Sequence, residues 1–336
     1  MSTVVRARLC LLTIAVMLFS HARPALAYLK FGVDVGGHQV ILRWAATPVR
    51  YFVSDPGIPS VSATQFQAAV ARAFATWEAV PSATVSYTFG GYTASLPGQD
   101  DGRSTLGFMS EPSLDRVLAS TSYMVDDATG ELLESDIFFN SAFSWSVAEN
   151  GEPNKWDLQT IALHEIGHFS GLGHSALGET EGASGQRHPI GVAAVMFPIA
   201  LGTGDISLRT LQPDDIAGIS DLYPSDHFRS DTGSVSGRVT KNGAGVYGAH
   251  VAVFDPARGE MVGNFTLSTN GQFSVSGLSP GPHVIRVEPI DDADIESFFD
   301  ISDPVDVNFS VKFYDKIVNV PSGGDSGAIT IAVQAK

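Results

Sequence analysis

Cysteine is almost missing from this chain: one among 336 residues, Cys10, close to the N-terminus. Beyond that point disulfides, thiolate-held metals and cysteine nucleophiles are excluded, and a chain of this length can hold a core without them. Positive charge is also scarce, with 20 Lys and Arg against 36 Asp and Glu and a net charge of −16. With no basic stripe, neither nucleic acid nor an anionic lipid surface is an expected partner. The apolar run from Leu9 to Phe19 is too short to span a bilayer. Arg6 and Arg8 precede it and Ala25-Leu26-Ala27 follows, so residues 1–27 read as a signal peptide cleaved before Tyr28. A secreted chain, extracellular or periplasmic, is predicted, with no transmembrane segment once the leader is gone.

Turn-forming residues are plentiful, 34 Gly and 18 Pro. Residues 28–224 mix periods. "VRYFVS" reads as a strand, and Phe66, Val70, Phe74 and Trp77 recur at helical spacing behind Ser62, a helix cap. "ATVSYTF", "TLGFM", "VLASTSYMV" and "ESDIFFN" read as further strands, so helices packed on a sheet are expected. After 225–232, taken as a linker, the helical period disappears. Residues 233–336 alternate in short runs broken by Asn-Gly and Ser-Pro-Gly-Pro, the pattern of an antiparallel β-sandwich.

The stretch "LQTIALHEIGHFSGLGHS" gathers three of the nine histidines. His164 and His168 are four apart, so one helical face presents both imidazoles, while Glu165 turns aside toward an attacking water. His174 cannot share that face. Gly171 tolerates positive φ, so the helix can stop there and return His174 to the first two. H-E-x-x-H-x-x-G-x-x-H thus offers three nitrogen ligands and one open position, the donor set of a catalytic Zn²⁺, with Glu165 as general base.

These residues resemble the metzincin metalloproteases, and Ser175 after the third histidine resembles the matrixin branch. "AAVMFP" is similar to the Met-turn, with Met196 as an apolar floor beneath the metal. "LQPDDIAGISDLYP" is similar to the last matrixin helix, whose aspartates, here Asp214 and Asp215, support the active-site loops. The resemblance implies an α/β (α+β) zincin-type catalytic domain with a mixed, mostly parallel twisted sheet and a long active-site helix. It also implies a protein or peptide substrate bound extended along an edge strand, for which "VLASTSYMV" is the candidate. Matrixins commonly bind Ca²⁺, and Asp126, Asp127 and Asp136 are oxygen-ligand candidates. The stretch from His174 to Met196 is longer than the family's and carries Glu179, Glu181 and His188, the last read as a solvated loop residue.

"SVSGRV…GAHVAVFD…TNGQFSVSGL" resembles the carboxypeptidase regulatory-like, transthyretin-like sandwich. It carries no catalytic constellation and is expected to bind a surface or partner or to support folding. The leader's style and this pairing of domains look bacterial. Two other readings stand beside a secreted endopeptidase: an inactive protease-like adhesion protein, and a zinc hydrolase of a non-peptide amide or ester.

Overall fold

The structure, a computed structural model, describes residues 6–10, 30–35, 38–183 and 186–336. The chain begins with β1 (Arg6–Cys10), the hairpin β2 (Gly32–Val35) and β3 (His38–Ile41), then β4 (Val49–Ser54) and helix α1 (Ala63–Glu78). Strands β5 (Tyr87–Thr93), β6 (Ser104–Met109), β7 (Ala119–Asp126) and β8 (Glu131–Asn140) follow. The short β9 (Trp145–Ser146) and β10 (Trp156–Asp157) lead into helix α2 (Leu158–Phe169).

Helix α1 forms where the sequence supplies both an apolar stripe and a start signal. Ser62 Oγ accepts from Gln65 N at 3.3 Å, and the Gln65 carboxamide accepts from Ser62 N at 3.0 Å, a capping box. Phe66, Val70, Phe74 and Trp77 are buried on its inner side. Trp77 also donates its indole N–H to Leu163 O in α2 at 2.8 Å, so the two helices are tied as well as packed.

The sheet runs β1-β7-β8-β6-β4-β5. β4 is parallel to β5 and β6, and β6 to β8, whereas β7 returns antiparallel to β8. Parallel neighbours need a crossover, and α1 is the crossover from β4 to β5. Leu106, Ile137, Phe139 and Trp145 meet Leu158, Ala162, Ile166 and Phe169 of α2 in one core. Within residues 1–27, expected to be a signal peptide, the described part is β1, which lies antiparallel on β7 from Ser122 to Asp126. An edge strand exposes a row of unpaired backbone groups that any extended segment can complete. Tyr28 and positions 1–5 and 11–27 lie outside the described residues.

Past α2 come the hairpin β11 (Gly178–Ala183) and β12 (Gln186–Val192), helix α3 (Pro213–Leu222) and the short α4 (Phe228–Asp231). α4 falls within the expected linker 225–232 and buries Phe228. The remainder is all strand: β13 (Gly233–Lys241), β14 (Ala244–Gly245), β15 (His250–Asp255), β16 (Glu260–Phe265), β17 (Gln272–Leu278) and β18 (Gly281–Glu288). β19 (Lys312–Phe313), β20 (Val318–Val320) and β21 (Ile329–Val333) complete it. One sheet is β14-β13-β17 with β21 on β13; the other is β16-β15-β18-β19 with β20 on β18. Val235, Val239, Val251, Phe273, Ile285 and Phe309 fill the space between them, and Ala217 of α3 belongs to that same core. The sandwich is therefore seated on α3. Among the described residues no helix is long and apolar enough to cross a membrane.

Candidate metal centre

Asp157 starts α2: its carboxylate accepts from Thr160 N at 2.8 Å, and Arg209 donates to both of its oxygens at 2.6 and 2.9 Å. Leu158, Ile161, Ala162 and Ile166 turn into the core, and His164 and His168, one turn apart, share another face of the helix. The helix stops at Gly171, whose φ is +102°. Gly171 N donates to His168 O at 2.7 Å and Leu172 N to Gly167 O at 3.0 Å, satisfying carbonyls that a helix end leaves open. The chain then doubles back, and a ligand nitrogen from each of His164, His168 and His174 lies within 4.8 Å of the other two.

The hydrogen bonds set the tautomers. Nδ1 of His164 is 2.8 Å from Val195 O, Nδ1 of His168 is 2.8 Å from Leu172 O, and Nδ1 of His174 is 2.6 Å from Ser297 O. A carbonyl only accepts, so each Nδ1 carries the proton and each Nε2 keeps its lone pair. Nε2 of His168 and of His174 face each other at 3.1 Å. Lone pairs converging without a donor are what a cation resolves, and three neutral imidazoles suit Zn²⁺. Burial and then the neighbouring His174 push His164 down to about 3. His168 and His174 are lowered too, in both cases mainly by burial.

Glu165 is 6% exposed and sits beside this cluster. Thr121 Oγ1 on β7 donates to its Oε2 at 2.6 Å. Burial raises the Glu165 carboxyl to about 7, with the Thr121 hydroxyl opposing. A dication held by the adjacent imidazoles acts in the lowering direction.

Met196 lies under the helix, and a Cβ on Gly167 would stand 2.2 Å from its sulfur. The bare backbone at Gly167 is therefore what admits the thioether. Asp215 holds the Met196 segment: its carboxylate accepts from Val195 N at 2.8 Å and Met196 N at 3.1 Å, as well as Gln212 N at 2.8 Å. Asp214 differs. It accepts from Gly263 N of β16 at 2.8 Å, which fastens the sandwich, and it also hydrogen-bonds the Ser175 side chain, next to His174.

Burial, then the Asp215 charge, raises Asp214 from 3.8 to about 7. A raised folded-state pKa means that the folded chain holds this proton more tightly than the unfolded chain. The resulting stability is complete below about pH 4 and is lost as pH rises through about 7. Asp214→Asn keeps an acceptor for Gly263 N and removes the charge. The variant should therefore gain stability relative to wild type between pH 5 and pH 8, by up to about 4 kcal/mol. Equal pH profiles in denaturant titrations of the two proteins would rule this out.

The calcium candidates do not converge. Asp126 caps its own turn, accepting from Ala128 N and Thr129 N at 2.9 and 3.2 Å. Asp136 accepts from Thr105 N at 2.7 Å and Gly98 N at 2.6 Å. Asp136 pairs with Ser122, four positions along β7 from Asp126, and Asp127 is exposed. Their oxygens serve backbone donors or solvent, and calcium is unsupported here. His188 pairs with Glu181 across the β11–β12 hairpin and is exposed, apart from the imidazole cluster.

Sequence reasoning missed Thr121, Gly167 and Ser297, whereas Asp157, read with Asn154 as a possible start of this helix, is its cap. Gly167 had a signal, a glycine inside a helix where alanine is favoured. Thr121 and Ser297 had none, because their partners lie 44 and 123 positions away.

Comparison with known proteins gives the same region. The family model described as Matrixin matches residues 43–224, more than half of the chain. Metalloendoproteinase 5-MMP of Arabidopsis thaliana is 36% identical over 89 residues, 26% of this chain and 20% of that protein. Stromelysin-1 of Mus musculus is 31% identical over 96 residues, 29% of this chain and 16% of its own length. The matched stretch thus spans about a fifth of those relatives. A minor pilin of Streptococcus agalactiae overlaps 32% of this chain and 45% of its own, at 12% identity and a TM-score of 0.22.

Proposed function

Because this chain belongs to the matrixin family of zinc metalloproteases, we propose that it is an exported zinc-dependent endopeptidase. The convergence of three proton-free Nε2 atoms, beside a buried glutamate and inside the family match, is the observation that supports this most. His164, His168 and His174 would hold the ion. When bound, Zn²⁺ supplies Lewis acidity for the scissile carbonyl and makes water a nucleophile near neutral pH.

The chain's own groups do the rest. Glu165 takes the proton of the attacking water on one carboxylate oxygen, while the Thr121 hydroxyl steadies the other. It then returns the proton to the departing amine. Ala119–Thr121 of β7, beyond the stretch that pairs with β1 and next to Glu165, offers backbone groups to an extended peptide. The region over 233–336 is read as a regulatory-like sandwich that supports the catalytic region, and residues 1–27 as an export leader.

Casein digestion with a zinc chelator tests the reading. Digestion should fall to background in the metal-free protein and return when Zn²⁺ is added back. Digestion that persists in protein shown by elemental analysis to be free of metal would overturn it.

A further inference from the structure

The three imidazoles are not supported alike. His164 and His168 rest on Val195 and Leu172, both near them in the matrixin region. The third, His174, donates to the carbonyl of Ser297, which belongs to the sandwich half of the chain. Ser297 closes a single 3₁₀ turn, Ile295–Ser297, in the segment after β18. Carbonyls at the end of such a turn have no partner within it and are free to accept. Phe298, the next residue, sets its ring edge-on to His174 with centroids 6.3 Å apart.

This turn is anchored from two sides. Toward the sandwich, Phe299 is buried with Tyr247, Phe265 and Ile290. Toward the matrixin region, the β11–β12 hairpin grips it. Thr180 N donates to Asp292 Oδ1 at 2.6 Å, and Thr180 Oγ1 donates to Asp292 O at 2.8 Å. Arg187 donates to Asp291 O and faces Asp294 at 3.6 Å. Glu179 pairs with Arg286 at 3.3 Å. The hairpin is the insertion between His174 and Met196, so the extra residues sit where they can bind the sandwich.

We propose that the C-terminal sandwich is a built-in part of the metal centre, with the Ser297 carbonyl positioning the His174 ring and the β11–β12 hairpin clasping that carbonyl in place. This rests on the zinc reading above. It makes the sandwich a positioning element for the third ligand, and it gives the hairpin insertion a purpose that does not involve substrate. An outer hydrogen bond to a ligating imidazole fixes its rotation and raises its basicity, and losing one weakens metal affinity about 10–100-fold.

The test uses the full chain. Asp292→Ala combined with Thr180→Val removes the Thr180–Asp292 hydrogen bonds, whereas Asp292→Asn keeps the acceptor for Thr180 N. Adding Arg187→Ala to the double variant also removes the contacts to Asp291 O and Asp294, a stronger form read in the same way. Zinc affinity is read by competition with a chromophoric chelator, and ligand geometry by the d–d absorption bands of the Co²⁺-loaded protein. The double variant should bind zinc about 10–100-fold more weakly, with shifted cobalt bands, and Asp292→Asn should stay near wild type. A purely structural role would lower thermal stability and leave the cobalt bands of the folded protein unmoved. If the double variant does not fold, Phe298→Ala is measured in the same two ways with the same expected directions. Wild-type affinity and unshifted bands in the folded variants overturn the coupling alone. A wild-type chain that takes up neither Zn²⁺ nor Co²⁺ overturns the metal-centre reading together with it.

Discussion

Glu165→Gln is expected to lower kcat for peptide hydrolysis by about 10²–10⁴-fold while zinc content stays at the wild-type level. The carboxylate is 6% exposed and is held at one oxygen by Thr121 Oγ1 at 2.6 Å. Glutamine has the same shape and can keep a hydrogen bond to that hydroxyl, so neither the helix nor the imidazoles should move. What it lacks is basicity. A loss in kcat with KM little changed would mark a group that acts on the proton and not on substrate binding. The check is steady-state kinetics on a quenched peptide together with elemental analysis of the same sample. Activity within tenfold of wild type, at full zinc content, would remove Glu165 from the mechanism.

The second large effect is at Gly171. Its φ of +102° is a conformation that residues with a Cβ rarely adopt. Position adds to strain, since a Cβ there would stand 2.4 Å from Leu42 O and 3.2 Å from Leu222 Cδ2. The backbone has no free direction either: Gly171 N is bonded to His168 O, and Gly171 O accepts from Phe31 N at 3.1 Å. Gly171→Ala should therefore cost on the order of 1–3 kcal/mol in strain, plus the clash. The metal centre suffers with it, because Leu172 O orients His168 and the same turn delivers His174. Zinc affinity should drop at least about tenfold. Denaturant unfolding and chelator competition measure the two effects. A variant with wild-type values in both would show that the turn is softer than its geometry indicates.

Some features could be read locally because their causes are local. Ser62 and Gln65 are three apart and meet within one helical turn, and His164 and His168 share a face because the helical period puts them there. Gly171 announces a reversal because few other residues accept its φ. The calcium expectation over Asp126, Asp127 and Asp136 found no support, for a reason of the same kind in reverse. Acidic residues beside glycines also make plain turns, and Asp126 does so within its own hairpin. The strand beginning near Ala83 was read too early, since the sheet pairs only from Tyr87, opposite Val49.

What the sequence alone determined is the spacing of the three histidines, the helix that carries two of them, and the change from mixed to all-β texture near residue 233. All of these depend on side-chain period and on the backbone freedom of single residues. What only the tertiary structure decided is who holds those groups. Thr121 reaches Glu165 because β7 lies against α2, Met196 reaches Gly167 because Asp215 draws its segment inward, and Ser297 reaches His174 across 123 positions of chain. Such contacts follow from how sheets, hairpin and sandwich pack, and packing is a property of the whole chain that no local pattern of residues encodes.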